Sequence, residues 1–459
     1  MFHIILTILR REIRETIASS TLLSVMIVLT ILVPLGACIQ ARYYQIVVED
    51  YSVRQSVRQT ENSSQSIVLI RPLPPMAPFF NGAYNSLPDE FRLLSDSATT
   101  TTTPSGDLTP LDWLFPKIDL SFIIGVLMTL LAILLAHDTI ARDKDQGVLK
   151  LILAGPVKRM SVLAAKLTGV ILPVTVILIY VVSLYTTIVI TLSKGTVNLS
   201  ASNLGSLAAL TIVALIVLIA TAALGVAVSA SVRRSSVSLF ACASIWILII
   251  LILPPFGPYI AFSCKTVSTP EAARRDIASK EKELILEELA EHRKTAADLK
   301  AQQIGVESGW RQYLELRRKW IERRNEEIGR LIEERKKQIY DQRVFARRIS
   351  LFSPYAAFRE VLGNLCGTGL ESYDEFLAAV EQYRQQEFIP KGFDLRSRQK
   401  PWLKAADPED QLQLHPLQAP LPALFERLAA AVWPLSILIA EMIISVTLGI
   451  LSFERCDVR

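Results

Sequence analysis

Residues 118–166 read IDLSFIIGVLMTLLAILLAHDTIARDKDQGVLKLILAGPVKRMSVLAAK, an apolar stretch followed by a charged connection. An α-helix rises 1.5 Å per residue, so about 20 apolar residues cross a hydrocarbon layer that is about 30 Å thick. Residues 118–136 meet this requirement, whereas the residues that follow carry too many charges to remain in lipid. The stretch therefore predicts a membrane-spanning helix that leaves the bilayer at His137.

Five further stretches share this length and apolar composition. They are residues 21–39, 167–192, 207–230, 237–256 and 428–453. The chain has 459 residues, of which 51% are hydrophobic and only 20% charged, and this composition argues against a soluble enzyme of two or three domains. We therefore predict an all-α polytopic membrane protein with six transmembrane helices.

Lys and Arg in the short connections predict the orientation of the spans, because positive charge resists translocation. The connection 137–166 carries six of these residues, and the connection after the fourth span carries Arg233 and Arg234. Both are predicted to be cytoplasmic, and the loop 193–206 is predicted to be external. Two large regions, residues 40–117 and 257–427, then lie outside by parity.

An even number of spans places both termini in the cytoplasm, including the short tail 454–459. Residues 1–20 alternate isoleucines with Arg and Glu at helical spacing, which predicts an amphipathic helix along the inner interface. A rival reading exists, because Leu35-Gly36-Ala37-Cys38 resembles a lipobox, and cleavage before Cys38 would make the first span a signal segment. The long lead-in with acidic residues favours an intact span.

The external segment 271–349 is rich in charged helix formers, with 20 Lys or Arg and 16 Asp or Glu between residues 271 and 348. Gly305 and Gly309 interrupt it, so we predict a mainly helical external domain that contains a long antiparallel hairpin. The apolar seam between the arms is predicted to consist of Ile285, Leu289, Ala296 and Leu299 in the first arm and Leu314, Ile321 and Ile328 in the second. Mixed charges on an external segment argue against nucleic-acid binding.

Motifs of enzymes and metal sites are missing from the sequence. It has no GxxxxGK[ST] phosphate loop, no GxSxG turn, no HExxH and only four His, so we expect neither catalysis nor a bound cofactor or metal. Cys264 and Cys366 are both predicted to be external and could pair with each other or with Cys38, or remain thiols.

The cytoplasmic connection from His137 to Arg159, followed by Lys166, resembles the pattern between the second and third spans of type-2 ABC transporter permeases. The six-span plan and the amphipathic start also resemble that family. The permeases of nitrous-oxide-reductase maturation and gliding motility look nearest, and SPYAAFREVLGNLCGTGLESYDEF at 353–376 is similar to a branch with a large external insertion before the last span.

The resemblance implies a separate ATPase, present in two copies. This ATPase binds ATP and Mg²⁺ and contacts the connection between the second and third spans. A second permease, identical or paralogous, is also implied, in a bacterial inner membrane with the large insertion in the periplasm. The residues expected to couple to the ATPase are Asp138, Arg142, Asp143, Lys144, Gly147, Leu151, Gly155, Pro156 and Arg159.

Glu441 lies near the middle of the last predicted span, where a carboxylate is costly and is usually buried against protein or water. We expect it to line a substrate path or a subunit interface, or to be protonated between helices. The function expected from the whole sequence is a permease subunit driven by a separate ATPase. The alternative is a membrane scaffold or signal-transmitting protein whose external hairpin binds an envelope protein or lipoprotein.

Overall fold

A computed structural model places most of the chain in helices, as predicted. It describes residues 2–61, 66–82, 84, 87–94, 101–103, 118–155, 157–197, 200–301, 306–388 and 423–456. Six helices within these residues are long and apolar enough to cross a membrane, which confirms the predicted number of spans. They are Ser20–Ser56, Leu120–Asp145, Arg159–Leu192, Ala201–Ser231, Ser235–Cys264 and Leu424–Glu454, here called TM1 to TM6 in chain order.

Several spans extend beyond their predicted ends. The helix that contains TM1 runs over Ser20–Glu61, so its 42 residues measure about 63 Å, twice the hydrocarbon thickness. The chain after residue 39 therefore begins as a continuation of the TM1 helix. Two spans contain π-helical turns, at Ile123–Met128 in TM2 and at Ile247–Ile252 in TM5.

TM2 and TM4 form the centre of the bundle. In their most apolar windows 72% and 56% of the residues are buried, against 22% in TM1, 22% in TM5 and 11% in TM6. A single apolar cluster extends from TM1 through TM2, TM3 and TM4 to TM6. The outer faces of TM1, TM5 and TM6 remain exposed, which is where such helices meet lipid or another subunit.

The charged segment that follows TM5 forms two helices, here called the first and second arm. They are Pro270–Ala301 and Val306–Ser350. They contact each other through Leu284 in the first arm and Trp320 and Ile328 in the second, all buried. The predicted seam is wrong in the first arm, because Ile285 and Leu289 are 37% and 49% exposed. A shift of one residue rotates a helix position by about 100°, so Leu284 faces the second arm and Ile285 does not.

A small antiparallel sheet, which was not predicted from the sequence, lies between TM1 and TM2 in the chain. Its strands are Ser66–Ile70, Glu90–Leu94 and Thr101–Thr103, in that order across the sheet. Apolar side chains of the first two strands pack on the helix Leu370–Tyr383, which follows the arms in sequence. The chain between TM1 and TM2 and the chain between TM5 and TM6 therefore join in one subdomain.

The helix Pro354–Cys366 is buried among the spans. It begins after Ser353 and ends at Cys366, and the following Gly367 has a φ of 70°, which suits glycine. Its residues Phe358, Val361 and Leu362 are fully buried in the same apolar cluster as the spans. The region between TM5 and TM6 is thus seated on the bundle itself.

All five cysteines are free thiols, so of the alternatives that the sequence left open the structure shows unpaired thiols. Cys264 is exposed at the end of TM5, whereas Cys366 is buried at the end of the helix Pro354–Cys366.

Candidate functional site

The connection between TM2 and TM3 folds as two short helices, Asp138–Asp145 and Val148–Ala154, here called the first and second connecting helix. Gly147 separates them with a φ of 70°, in the left-handed region, and a Cβ built there would meet no other atom. Backbone conformation rather than space therefore favours glycine at this position. The bend lets the second helix leave the direction of the first.

A buried lysine joins this connection to two other elements. Lys166, near the start of TM3, has no exposed surface, and its Nζ donates to Glu12 Oε1 at 2.7 Å and to the carbonyl of Thr139 at 2.7 Å. It also pairs with Asp143 Oδ2. One ammonium group thus holds the N-terminal helix Phe2–Ile17, the first connecting helix and TM3 together.

The N-terminal helix approaches TM3 at a glycine. A Cβ at Gly169 would lie 2.6 Å from the Cβ of Glu12, so any larger residue would push the two helices apart. This close approach carries the Glu12 carboxylate into the protein, where only 9% of the side chain is exposed. Burial raises the pKa of Glu12, and the nearby Lys166 opposes that rise.

A second set of charges lies at the rim of this buried cluster. Arg142 pairs with Glu15 at 2.6 Å and with Asp138 at 3.3 Å, while Arg11 pairs with Glu15 at 2.7 Å and lies 3.7 Å from Asp143. These side chains are partly exposed, so each pair contributes little to stability on its own. Together they fix the orientation of the N-terminal helix against the first connecting helix.

The first connecting helix is also attached to the connection between TM4 and TM5. The hydroxyl of Ser229 accepts hydrogen bonds from the backbone N–H groups of Ile140 and Ala141, at 3.0 and 2.9 Å. Lys144 donates to the carbonyls of Ala230 and Val232. Ser235 and Ser238 add hydrogen bonds to Asp138 and to the carbonyl of His137. The helix therefore cannot shift without moving TM3, TM4 and TM5.

The second connecting helix presents an exposed surface. Leu149 is fully buried and anchors the helix, whereas Leu151 is 76% exposed and Lys150 and Ala154 are exposed beside it. Lys158, just after the helix, is exposed as well. An exposed apolar side chain with flanking lysines suits a protein partner that has a complementary groove.

The residues predicted as partner contacts differ in their exposure. Asp143 is only 3% exposed, and its carboxylate pairs with Lys166 inside the protein. Arg142 and Lys144 are half-buried in internal pairs, and Arg159 donates to the carbonyl of Glu454 at the end of TM6. Of the remaining predicted residues, Gly155 ends the second connecting helix in extended conformation, and Pro156 lies outside the described residues.

Lys166 and Glu12 were missed as site residues, although the sequence held a signal for both. Glu12 follows Ile8 by four residues and so falls on the apolar stripe of the N-terminal helix, while Lys166 stands between Ala165 and Leu167. A charge on an apolar helical face is costly unless it is paired. Two such charges of opposite sign predict a buried pair.

Glu441 lies apart from this cluster, within TM6. Both oxygens of its carboxylate are buried, and neither forms a hydrogen bond to the described part of the chain. The positions Leu438 and Gly449 on either side of it in sequence are buried, so the carboxylate lies on the inward half of TM6.

Comparison with known proteins gives one family. Residues 6–458 match the family model described as ABC-2 family transporter protein. A search of curated proteins finds no match to the chain.

Proposed function

The chain belongs to the ABC-2 transporter family and is a multi-pass permease subunit of an ABC transporter, and from this premise we propose how it works. A separate ATPase binds the second connecting helix, and ATP hydrolysis in that ATPase moves the spans. ATP and Mg²⁺ are bound by the ATPase. Two permease chains and two ATPase chains form the working unit, which lies in a bacterial inner membrane with the arms in the periplasm.

One observation carries this proposal: Lys166 joins three elements that a cytoplasmic partner would have to move together. Its contacts with Glu12 and Asp143 are buried, and a buried charge that loses its partner costs several kcal/mol. A displacement of the first connecting helix is therefore transmitted directly to TM3 and to the N-terminal helix. The hydrogen bonds at Ser229 extend the same transmission to TM4.

The outer end of TM5 supports motion of the external arms as an output. Ser350, the last residue of the second arm, donates to the carbonyl of Pro254 at 3.0 Å, and Ser353 donates to the carbonyl of Ile249 at 2.6 Å. The carbonyl of Ile249 lies in the π-helical turn of TM5, and the carbonyl of Pro254 lies just after that turn. A Cβ at Gly257 would clash with Ser350 and Ala346, so arm and span are in direct contact.

The other π-helical turn meets the same corner of the external domain. A Cβ at Gly125 in TM2 would overlap the ring of Tyr355, one residue into the helix Pro354–Cys366. π-Helical turns in spans are frequent at functional positions because they interrupt the regular hydrogen-bond ladder. Movement of TM2 and TM5 would therefore be passed to the base of the arms, and this supports extraction or activation of an external molecule over passive anchoring.

Co-purification tests the proposal. The full chain with an affinity tag, expressed with its genomic neighbours, is expected to retain an ATPase that contains a GxxxxGK[ST] loop. Leu151→Glu places a charge on the exposed surface of the second connecting helix and is expected to release that ATPase. Ser236→Glu places the same charge at an exposed position in the first turn of TM5, before the predicted apolar span, and serves as the control. Purification of a stable chain without any ATPase would contradict the proposal and favour the scaffold.

A further inference from the structure

The first arm has two faces of different character. Its inner face packs on the second arm through Leu284, and it also holds acidic residues that pair with basic ones across the seam. Glu287 pairs with Arg323 at 3.1 Å and Glu288 with Arg324 at 2.8 Å. The second arm thus neutralises acidic side chains of the first.

The outer face of the first arm is left basic and apolar. Its apolar side chains are Ile285, Leu286 and Leu289, which are 37%, 58% and 49% exposed. Its basic side chains are Arg275, Lys282, Arg293 and Lys300, all exposed and none in an ion pair with the described residues. These four are separated by 7, 11 and 7 residues, which are close to two, three and two helical turns, so they form a line.

We propose that this outer face binds an acidic amphipathic helix of another envelope protein. Leu289 follows Leu286 by three residues and Ile285 by four, the spacings at which side chains share one face of a helix and can pack on another helix. The basic line beside them would pair with Asp or Glu flanking the apolar stripe of the partner. The inference rests on the proposed external position of the arms and adds a partner to the proposed transporter.

Charge and distance select this occupant over two others. A second copy of the chain, related by a twofold axis along the membrane normal, would bring Lys282 and Arg293 against the same basic line of its partner. The face from Arg275 to Lys300 covers 26 residues, or about 37 Å of helix, so in arms that project from the bilayer, as proposed, lipid headgroups would reach only its base. A helical protein partner is the occupant that complements the whole face.

Site-specific photocrosslinking in the native host tests the proposal. Benzoylphenylalanine replaces Leu289 in the full chain, and the same probe at Glu326, 70% exposed on the second arm, serves as the control. We expect a crosslinked protein at 289 that is absent at 326, with the crosslinked peptide identified by mass spectrometry as a helix with an apolar stripe and acidic flanks.

Charge reversal on the same face completes the test. The double variant Lys282→Glu and Arg293→Glu is expected to lower the crosslink yield at least tenfold, whereas Arg330→Glu on the second arm leaves it unchanged. Each variant should still co-purify with the ATPase, so that loss of the crosslink is distinguished from failure of the proposed transporter. A crosslink to a second copy of the chain, to a segment without acidic flanks, or at no higher yield than at 326 would overturn the proposal.

Discussion

Lys166 Nζ donates to Glu12 Oε1 at 2.7 Å, across 154 residues of sequence and with both side chains buried. This contact ties the N-terminal helix to TM3 at the depth where the first connecting helix also meets them. Asp143 completes the cluster, so the first connecting helix cannot change its position while TM3 stays in place. The cluster is therefore the point where a push from the cytoplasm would enter the bundle.

Lys166→Met is expected to destabilise the protein strongly. The variant leaves Glu12 and Asp143 buried without their cation, and loss of one partner from a buried charge cluster costs about 3–5 kcal/mol. Thermal unfolding of the purified chain in detergent measures the effect. Lys150→Met, a change of the same kind at an exposed position, is the control, and a midpoint for Lys166→Met equal to that of the control would contradict the account. Adding Glu12→Gln and Asp143→Asn should restore part of the loss.

Gly169→Val is expected to displace the N-terminal helix from TM3. The Cβ of a larger residue would overlap Glu12, and the matching change at Gly329 meets no atom within 4 Å. Limited proteolysis from the cytoplasmic side should therefore cut within residues 2–17 faster in Gly169→Val than in Gly329→Val. Equal rates in the two variants would show that the helix is not held at this position.

Gly257→Val is expected to separate the second arm from TM5. In the native protein Gln342 donates to the carbonyl of Lys265 at 2.6 Å, so cysteines at these two positions should be joined by a short bis-maleimide in a Cys264→Ser background. The crosslink should be lost in Gly257→Val because the added side chain clashes with Ser350 and Ala346. It should persist in Gly329→Val, and persistence in both variants would disprove a direct joint.

Thiol labelling checks the external placement. A membrane-impermeant maleimide added to intact spheroplasts should label Cys264, which is exposed at the outer end of TM5. Burial raises the pKa of the Cys366 thiol to about 12, so at pH 8 its reactive thiolate is scarce and the side chain is also shielded. Cys366 should remain unlabelled until the protein is unfolded. Labelling of Cys264 only after permeabilisation would reverse the orientation.

The six spans could be predicted from the sequence because length and apolar composition suffice to identify a membrane helix. The seam of the arms could not be placed correctly, since Leu284 and Ile285 are both apolar and only the position of the second arm selects between them. The helix Pro354–Cys366 is buried among the spans, which its local sequence does not indicate. Its burial among the spans depends on contacts with distant residues such as Gly125.

The candidate site was predicted only in part, for a related reason. Local sequence identified the connection between TM2 and TM3, because its charges and its position in the chain are visible there. Glu12 and Lys166 could be recognised as charges on apolar helical faces that require a partner. No periodicity within one helix indicates which residue supplies that partner, 154 positions away, or that Asp143 joins the pair.

ATP hydrolysis by the assembled complex tests the central claim most directly. The complex of chain and ATPase, purified and reconstituted in liposomes, is expected to hydrolyse ATP at a rate that falls at least tenfold when Leu151 is changed to Glu. Ser236→Glu should retain the rate of the native complex. Equal rates for Leu151→Glu and the native complex would contradict the claim that the second connecting helix is where the ATPase engages this permease.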